Sequence, residues 1–324
     1  MAALPQTVCN FRDENRQAQE AFDEYLFHNY TPADLSQNML FPNVLTINGI
    51  DFTFVVNVLG EGGYGKVFKL ESPGHHLNLA IKFGRNNDED VISQALNDEI
   101  TECNCLRVRP VGKQIYNPID NRFENNGYFM ELAEGTLDQY LIKIKHIDPL
   151  MDTDILYCTE NIKRIIENIR RQMVCIYAMD PPHKNEYVYT DLKLANVLYK
   201  CRDTSDLNQT SFILGDLGSA VPDSGSYIAT YPPYEHRFSG GFFALNTKNE
   251  KESAMSWELG VLLLACHHSN TVRFTQLQYN NIQHITVPEI NYLKNQLEAL
   301  YGPDIANLMH PNPALRRSIL TPLV

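Results

Sequence analysis

A short stretch in the second half of the chain carries a carboxylate, an ammonium group and a side-chain amide at the spacing D-x-K-x-x-N. These groups belong to Asp191, Lys193 and Asn196, and a second carboxylate, Asp216, follows in the string L-G-D-L-G. Hard oxygen ligands of this kind suit a magnesium ion that carries substrate phosphates. Together the four side chains can orient a hydroxyl nucleophile, neutralise a phosphoryl group and ligate magnesium.

A glycine-rich string, G-E-G-G-Y-G-K-V, occupies Gly60–Val67. Glycine allows the backbone to turn tightly and to bring its N–H groups close to phosphate oxygens. Dinucleotide-binding folds contain a similar string, but there it leads into a helix. Here V-F-K-L continues as a strand, which favours a glycine hairpin lying over a nucleotide. For the string alone, a plain hairpin turn is the alternative.

Lys82 lies in the apolar strand predicted over Leu77–Phe83. A lysine is costly to bury in such a strand unless an anion pairs with it. The expected partner is Glu99, on the inward face of the helix predicted over Asp88–Leu106, and Glu102 is the second choice. The alternative is that Lys82 reaches solvent by extending its alkyl chain.

The apolar pattern predicts a β-rich first part and a helical second part. Residues 1–45 form an extension, in which a helix over Arg12–Tyr30 is expected to dock on the main domain. The other predicted strands are Phe52–Val58, Lys66–Leu70, Tyr128–Leu132, Val197–Tyr199 and Ser211–Leu214, and the other predicted helices are Thr159–Met179 and Ser253–Ala265. A change from strands to helices along the chain indicates two lobes.

The composition excludes several classes of protein. The chain has 324 residues with 27 basic and 39 acidic side chains, so its formal charge is −12. Such a chain disfavours non-specific binding to nucleic acid or to an anionic membrane. The longest apolar run, Leu259–Cys266, is far short of the roughly 20 residues that span a bilayer, and no signal peptide is recognisable. Seven scattered cysteines favour a reducing, intracellular and cytoplasmic location.

In this order and at these distances, the motifs resemble those of the eukaryotic-type protein kinase family over about residues 50–320. Three further strings support the resemblance: P-Y-E at Pro233–Glu235, W-E-L-G at Trp257–Gly260 and P-A-L-R at Pro313–Arg316. The resemblance implies an α+β, bilobal fold. The small β-rich N-lobe would span residues 46–133 and the larger helical C-lobe residues 134–324.

The resemblance also implies roles for the catalytic residues. Asp191 would orient the incoming hydroxyl and accept its proton, and Lys193 would meet the γ-phosphate of ATP. Lys82, held by Glu99, would contact the α- and β-phosphates. The magnesium ligands would be Asn196 and Asp216. A lysine at position 193 is typical of the Ser/Thr-directed branch of the family.

A nucleotide pocket is implied in the same way. Its phosphate-binding backbone would come from Gly60, Gly62 and Gly65. Four apolar side chains would contact adenine: Leu59, Val67, Ala80 and Leu198. The hinge would be formed by Glu131 and Ala133, with Met130 as gatekeeper. The implied cofactors are ATP and Mg²⁺.

The departures from the family pattern are informative. The family's His-Arg-Asp is Tyr189-Thr190-Asp191 here, and Thr190 cannot gather a phosphorylated activation loop as the family's arginine does. Activity is therefore expected not to require activation-loop phosphorylation. The aspartate that anchors the catalytic loop in the family is replaced by Met255. These changes, with a short activation segment, are similar to kinases encoded by large DNA viruses or delivered into host cells by intracellular bacteria.

Alternative functions remain open from the sequence. A pseudokinase or scaffold is favoured by Thr190 and Met255, and an atypical kinase of small molecules or a dinucleotide-binding oxidoreductase are the others. The expected partners are protein substrates, with basic ones favoured by electrostatic steering toward an acidic chain. Neither nucleic acid nor a membrane is expected as a partner.

Overall fold

The computed structural model describes residues 16–62, 65–84, 91–94, 96, 105–147, 150–177, 187–201, 210–221, 226–227, 243–244, 248–268 and 287–323. These residues form two compact units. A β-rich unit contains those between Asn10 and Asp98 and between Leu106 and Ala133, and a helical unit contains Cys105 and those from Glu134 onward. The predicted α+β class, with a smaller β-rich part and a larger helical part, is confirmed.

The β-rich unit contains nine strands among its described residues: β1 Leu35–Gln37, β2 Val44–Ile47, β3 Ile50–Gly62, β4 Gly65–Ser72, β5 Leu77–Gly84, β6 Val108–Pro110, β7 Ile115–Asn117, β8 Arg122–Glu124 and β9 Gly127–Met130. Seven of them form one antiparallel sheet in the order β1-β2-β3-β4-β5-β9-β6, and β7 and β8 form a separate antiparallel pair. Strand β5 is buried along most of its length. Its sequence, L-N-L-A-I-K-F-G, is mostly apolar, and Asn78 and Lys82 are its polar side chains.

The N-terminal extension packs on this sheet, as predicted. Helix α1, Arg16–Glu24, continues into a π-helical turn over residues 25–29. Phe22 and Tyr30 are both buried; the Phe22 ring lies 5.0 Å from that of Phe52, and the Tyr30 ring meets Phe129 edge-on at 5.4 Å. The Tyr30 hydroxyl donates to the Val111 carbonyl oxygen at 2.7 Å, so the aromatic body of this residue is buried with its polar tip satisfied.

The helical unit contains six further helices and seven short strands among the described residues. The helices are α2 Leu137–Ile147, α3 Leu150–Thr153, α4 Ile155–Tyr177, α5 Lys248–His268, α6 Val287–Tyr301 and α7 Pro303–Ala306. The strands are β10 Gly135–Thr136, β11 Val188–Tyr189, β12 Val197–Cys201, β13 Thr210–Leu214, β14 Ala220–Val221, β15 Ser226–Tyr227 and β16 Phe243–Ala244. They pair as β10-β12-β13, β11-β14 and β15-β16. Helix α5 is buried along most of its described surface, which makes it the central helix of this unit.

Helix α4 begins four residues before its predicted start at Thr159. The Tyr157 N–H donates to the Asp154 side chain at 3.0 Å, so Asp154 caps the helix N-terminus. The first two of the four added residues, Ile155 and Leu156, are exposed, and they therefore lie outside the apolar stripe on which the prediction rested.

The described cysteines only partly match the expectation of a reducing compartment. Cys105, Cys158 and Cys266 are free and buried, whereas Cys175 on α4 is disulfide-bonded. Among the described residues, no helix combines the length and the apolar character needed to cross a bilayer.

Candidate active site

Three of the predicted site residues, two catalytic and one a magnesium ligand, meet on the loop between β11 and β12. Lys193 Nζ lies 2.5 Å from Asp191 Oδ2, and Asn196 Nδ2 donates to the Asp191 carbonyl oxygen at 2.8 Å and reaches Oδ2 at 3.2 Å. Asp191 and Asn196 are buried, and Lys193 is partly exposed. The Asp191 carboxylate is therefore held in one orientation by neighbouring groups of the same loop.

Two hydrogen bonds join this loop to the segment that carries Asp216. The Tyr189 hydroxyl donates to the Gly215 carbonyl oxygen at 2.7 Å, and the Gly215 N–H donates to the Asn196 carbonyl oxygen at 2.7 Å. Burial, followed by the nearby carboxylates of Asp216 and Asp191, raises the pKa of Tyr189 well above its ordinary value. The phenol therefore remains a neutral hydrogen-bond donor.

Asp216 sits in a backbone conformation that side-chain-bearing residues seldom adopt, with φ at +50°. A short 3₁₀ turn over Leu217–Ser219 follows it, and the Ser219 N–H donates to the Asp216 carbonyl oxygen at 2.9 Å. The Ser219 hydroxyl lies 3.4 Å from Asp216 Oδ2. The turn thus keeps Asp216 in its left-handed backbone conformation. Strained conformations that are maintained by surrounding contacts are common in functional sites.

The donor set of this loop fits a magnesium ion. Asp216 offers carboxylate oxygens. Asn196 makes both of its bonds to Asp191 through Nδ2, so the amide oxygen Oδ1 is the atom able to ligate a cation. Oxygen ligands of these two kinds are those that magnesium prefers.

Thr190 stands where the kinases that the sequence resembles have an arginine, and its side chain is buried. Its backbone N–H donates to the Ser219 carbonyl oxygen at 3.1 Å, and its hydroxyl donates to the same oxygen at 2.9 Å. Ser219, the last residue of the turn that follows Asp216, is thus fixed by hydrogen bonds to the loop that carries Asp191. The sequence did not predict this contact.

In the β-rich unit, the residues assigned to phosphate and adenine lie on neighbouring strands. Lys82 of β5 pairs in register with Val67 of β4, and Ala80 pairs with Met130 of β9. Lys82 is only 6% exposed, so the alternative in which it extends to solvent is wrong. Its predicted partners, Glu99 and Glu102, lie outside the described residues.

The described residues of the glycine string pair β3 with β4 in antiparallel fashion, as predicted for a hairpin, and Gly65 opens a strand rather than a helix. Gly65 has φ at +138°, and a Cβ on it would lie 2.1 Å from the Phe83 carbonyl oxygen. Gly60 has open space around it, and the neighbouring Leu59 is 50% exposed. Gly62 ends β3. The glycines of the string therefore meet different demands: Gly65 is required by the fold, whereas Gly60 is not.

The predicted hinge is held by a contact that the sequence did not predict. Arg107 forms a close ion pair with the Glu131 side chain, and its N–H groups also lie 3.8 Å from the carboxylates of Asp23 and Glu24 on α1. Its guanidinium stands 5.0 Å over the Phe27 ring. Burial opposes the charge on Arg107, but the three carboxylates, with Glu131 foremost, raise its pKa above the ordinary value. The N-terminal extension is thereby connected to the hinge.

The two remaining residues that the sequence assigned to nucleotide binding belong to different units, and each is described within its own unit. Ala133 ends the β-rich unit beyond Glu131, and Leu198 belongs to β12 of the helical unit, where its side chain lies against Gly215.

Two of the three strings that supported the resemblance, W-E-L-G and P-A-L-R, lie among the described residues. Arg316 stands 5.0 Å over the Trp257 ring and donates to the Ser253 carbonyl oxygen at 3.2 Å. A Cβ on Gly260 would lie 2.5 Å from the Met309 side chain, so this glycine allows α5 to approach the C-terminal segment. Glu235, the implied partner of Arg316, lies outside the described residues.

No family model matches the chain. Protein kinase C-like 1 of Caenorhabditis elegans is 29% identical over 153 residues, which cover 45% of this chain and 19% of that protein. A putative serine/threonine-protein kinase of the same organism is 25% identical over 197 residues, which cover 58% of this chain and 49% of the relative. The chain thus spans less than half the length of these relatives. The similarities are distant and partial, and with the α+β architecture they support a kinase-like family.

Proposed function

We propose that the protein transfers the γ-phosphoryl group of ATP to serine or threonine hydroxyls of other proteins, with the help of magnesium. The observation that carries this proposal is the convergence of Asp191, Lys193 and Asn196 on one loop, joined by hydrogen bonds to the segment of Asp216. A carboxylate, an ammonium group and oxygen ligands are the parts that phosphoryl transfer requires.

In the proposed reaction, Asp191 Oδ accepts the proton of the substrate hydroxyl while the hydroxyl oxygen attacks the γ-phosphorus. The bond from that phosphorus to the bridging oxygen breaks, and ADP leaves. Lys193, at 2.5 Å from the Asp191 carboxylate, supplies positive charge where the phosphoryl group passes. Catalysis of this kind depends on position and electrostatics more than on a perturbed pKa.

Asn196 and Asp216 would hold magnesium, which would neutralise charge on the phosphate oxygens. Lys82, buried in β5, would meet the α- and β-phosphates, with Glu99 as its partner. The backbone of Gly60, Gly62 and Gly65 would approach the phosphates as well. Adenine would lie among Leu59, Val67, Ala80 and Leu198 and bond to Glu131 and Ala133, with Met130 as gatekeeper.

Two features support finer points of the proposal. Lys193 supports Ser/Thr rather than Tyr specificity, as in the family that the chain resembles. The contact of Thr190 with Ser219 supports activity without phosphorylation of the activation segment. The acidic charge of the chain favours basic protein substrates, and the location proposed is the cytoplasm of a cell.

The experiment is magnesium-dependent transfer of labelled phosphate from ATP to generic basic proteins, followed by phosphoamino-acid analysis. Asp191→Asn and Lys82→Met are the matched inactive variants. We expect labelled phosphoserine or phosphothreonine with the wild type alone. Equal labelling by the wild type and both variants would overturn the proposal.

A pseudokinase that binds nucleotide without efficient transfer is the second candidate. The observation that favours it is Met255, an apolar and fully buried residue where the family has an anchoring aspartate. If nucleotide with magnesium raises the melting temperature of a wild type that transfers no phosphate, this second function replaces the first.

A further inference from the structure

Lys66 is the first residue after Gly65, and its side chain bridges two carboxylates at the start of β4. Its ammonium Nζ donates to Asp120 Oδ1 at 3.0 Å and lies 3.7 Å from Glu61 Oε1. Glu61 is the residue paired with Lys66 across the β3–β4 ladder, so it belongs to the glycine-rich string itself. Asp120 belongs to the turn between β7 and β8, over residues 118–121. One ammonium group thus joins the paired ends of β3 and β4 to a separate element of the β-rich unit.

The turn that carries Asp120 is fixed by a buried side chain of its own. Asn117 is fully buried, and its Oδ1 accepts from the backbone N–H groups of Ile119 at 3.0 Å and of Asp120 at 3.2 Å. Its Nδ2 donates to Asp120 Oδ2 at 3.4 Å, whereas Lys66 donates to the other carboxylate oxygen. Asparagine commonly stabilises turns by bonding the backbone that follows it. The Asp120 carboxylate is therefore an acceptor of fixed position for Lys66.

Strand β7, which leads into this turn, is also fastened to the N-terminal extension. The Gln37 side-chain amide pairs with the backbone of Tyr116 in both directions: Nε2 donates to the Tyr116 carbonyl oxygen at 2.8 Å, and Oε1 accepts the Tyr116 N–H at 2.8 Å. The Lys113 ammonium, just before β7, donates to the Leu35 carbonyl oxygen of β1. The β7–β8 turn is thus held from a side that does not involve the glycine-rich string.

The glycine-rich ends of β3 and β4 are, by contrast, not fixed by burial. A Cβ on Gly60 would meet no atom within 4 Å, and the Glu61 side chain is 64% exposed. Glycine also gives a backbone more conformational freedom than any other residue. The side chains of Lys66 and Asp120 are 32% and 17% exposed, and a pair of this kind contributes little to global stability. It can still hold a segment that opens locally.

We infer that Lys66 and Asp120 are positioning residues of the nucleotide site: their ion pair holds the glycine-rich ends of β3 and β4 to the β7–β8 turn and so slows the release of bound nucleotide. The nucleotide is one whose phosphates approach the backbone of Gly60 and Gly62. This effect on release rests on the proposed function, whereas the hold on the backbone is a property of the β-rich unit alone.

The first test follows the backbone in the absence of nucleotide. Amide hydrogen exchange over residues 60–62 should be faster in Lys66→Met and in Asp120→Ala than in the wild type, because either change removes the ion pair. Lys69→Met is the matched control, since Lys69 lies on the same strand, is 27% exposed and pairs with Glu71 rather than with the turn. It should leave the exchange over residues 60–62 unchanged.

The second test measures the dissociation rate of magnesium ADP by stopped flow. We expect Lys66→Met and Asp120→Ala to release ADP about 3–5-fold faster than the wild type, as for the loss of one partly exposed ion pair. Both changes remove the same interaction, so the double variant should be no faster than either single variant. Lys66→Arg keeps the charge and should stay close to the wild type. High salt screens the pair and should narrow the difference between the wild type and Lys66→Met.

Three results would overturn the inference. The first is wild-type exchange over residues 60–62 in both single variants. The second is slower release by Asp120→Ala, which would mean that the freed Lys66 ammonium binds phosphate directly. The third is addition of the two effects on release in the double variant. A wild type that binds no nucleotide would refute the proposed function, and the exchange comparison would still decide whether the ion pair holds the backbone.

Discussion

Thr190 gives both its backbone N–H and its hydroxyl to the carbonyl oxygen of Ser219, at 3.1 and 2.9 Å. One carbonyl oxygen thus receives two donors from a single buried residue of the catalytic loop. In the kinases that the chain resembles, an arginine at this position gathers a phosphate on the activation segment. Here the chain's own backbone makes the connection, and no added charge is needed for it.

The first prediction concerns this contact. Thr190→Val keeps the shape of the side chain and removes one donor, so we expect the free energy of unfolding to fall by about 1 kcal/mol. Under the proposed function, phosphoryl transfer should also slow, because the Asp216 segment loosens. Thr190→Ser keeps the hydroxyl, so its stability and rate should stay close to those of the wild type. Chemical denaturation and initial rates measure the two effects.

The same contact predicts the response to phosphatase. Thr190 is buried and carries a hydroxyl rather than a guanidinium, so it cannot pair with a phosphate on the segment after Asp216. Under the proposed function, removal of phosphate from the protein should therefore leave the rate of phosphoryl transfer unchanged. A large loss of activity after phosphatase treatment would contradict this prediction. Thr190→Arg should destabilise the fold, since the site is 2% exposed and has no room for the longer side chain.

The second prediction separates two glycines of one hairpin. Gly65→Ala places a methyl group 2.1 Å from the Phe83 carbonyl oxygen at a φ of +138°, so it should cost more than about 1 kcal/mol of stability. Gly60→Ala meets no atom within 4 Å and should leave the melting temperature unchanged. Under the proposed function it should raise KM for ATP, because the methyl group keeps phosphate from the backbone. Equal melting temperatures for the two variants would show the backbone argument to be wrong.

The third prediction concerns the connection from α1 to the hinge. Arg107→Met leaves the carboxylates of Glu131 and Asp23 buried without their cation. We expect the free energy of unfolding to fall by about 2 kcal/mol. Breaking a fully buried pair costs about 3–5 kcal/mol, and the expected loss is smaller because the Arg107 side chain is 24% exposed. Under the proposed function, KM for ATP should also rise, because the predicted hinge at Glu131 loosens. Thermal unfolding and steady-state kinetics measure these changes.

Arg122→Met is the matched control for Arg107, since Arg122 pairs with Glu124 at 2.5 Å while 62% exposed. Exposed pairs contribute little, so its stability should hardly change. The double variant Arg107→Met with Glu131→Gln should recover part of the loss, because one buried charge is removed with its partner. Similar losses for Arg107→Met and Arg122→Met would count against the role of burial.

Much of the fold follows from local pattern. The β3–β4–β5 strands, the α4 stripe of Ile162, Ile166 and Ile169, and the docking of Phe22 and Tyr30 rest on periodic apolar residues, and the structure has them. Strand β1 and the short β6 were not predicted, since three residues are too few to show a period. Their place at the edges of the sheet is set by pairing with β2 and β9.

In the candidate site, too, contacts between residues close in sequence could be predicted, whereas contacts between distant residues could not. Asp191, Lys193 and Asn196 are close in sequence, so their meeting on one loop could be predicted from spacing. The contacts of Thr190 with Ser219 and of Arg107 with Glu131 join positions 29 and 24 residues apart, and nothing in either string indicates the partner.

The last prediction concerns pH and the C-terminal segment. Glu167 of α4 is buried; its carboxylate accepts from Arg170 at 2.7 and 2.8 Å and from the Leu323 N–H at 2.9 Å, and Arg170 also donates to the Ile319 carbonyl oxygen. Burial disfavours the charged form, but the bonds from Arg170 and Leu323 outweigh it and lower the pKa of Glu167 below its ordinary 4.5.

A carboxyl group with a lowered pKa stabilises the fold fully above its unfolded value, and that stabilisation is lost as the pH falls through the folded value. The wild type should therefore be more stable than Glu167→Gln by a constant amount at pH 6–7. Below about pH 4.5 the difference should shrink, since the unfolded chain then binds the proton that the folded chain resists. Urea denaturation at several pH values measures it, with Glu298→Gln as the exposed control. A difference that stays constant down to pH 3 would show that the Glu167 carboxylate does not tie the C-terminal residues to α4 by its charge.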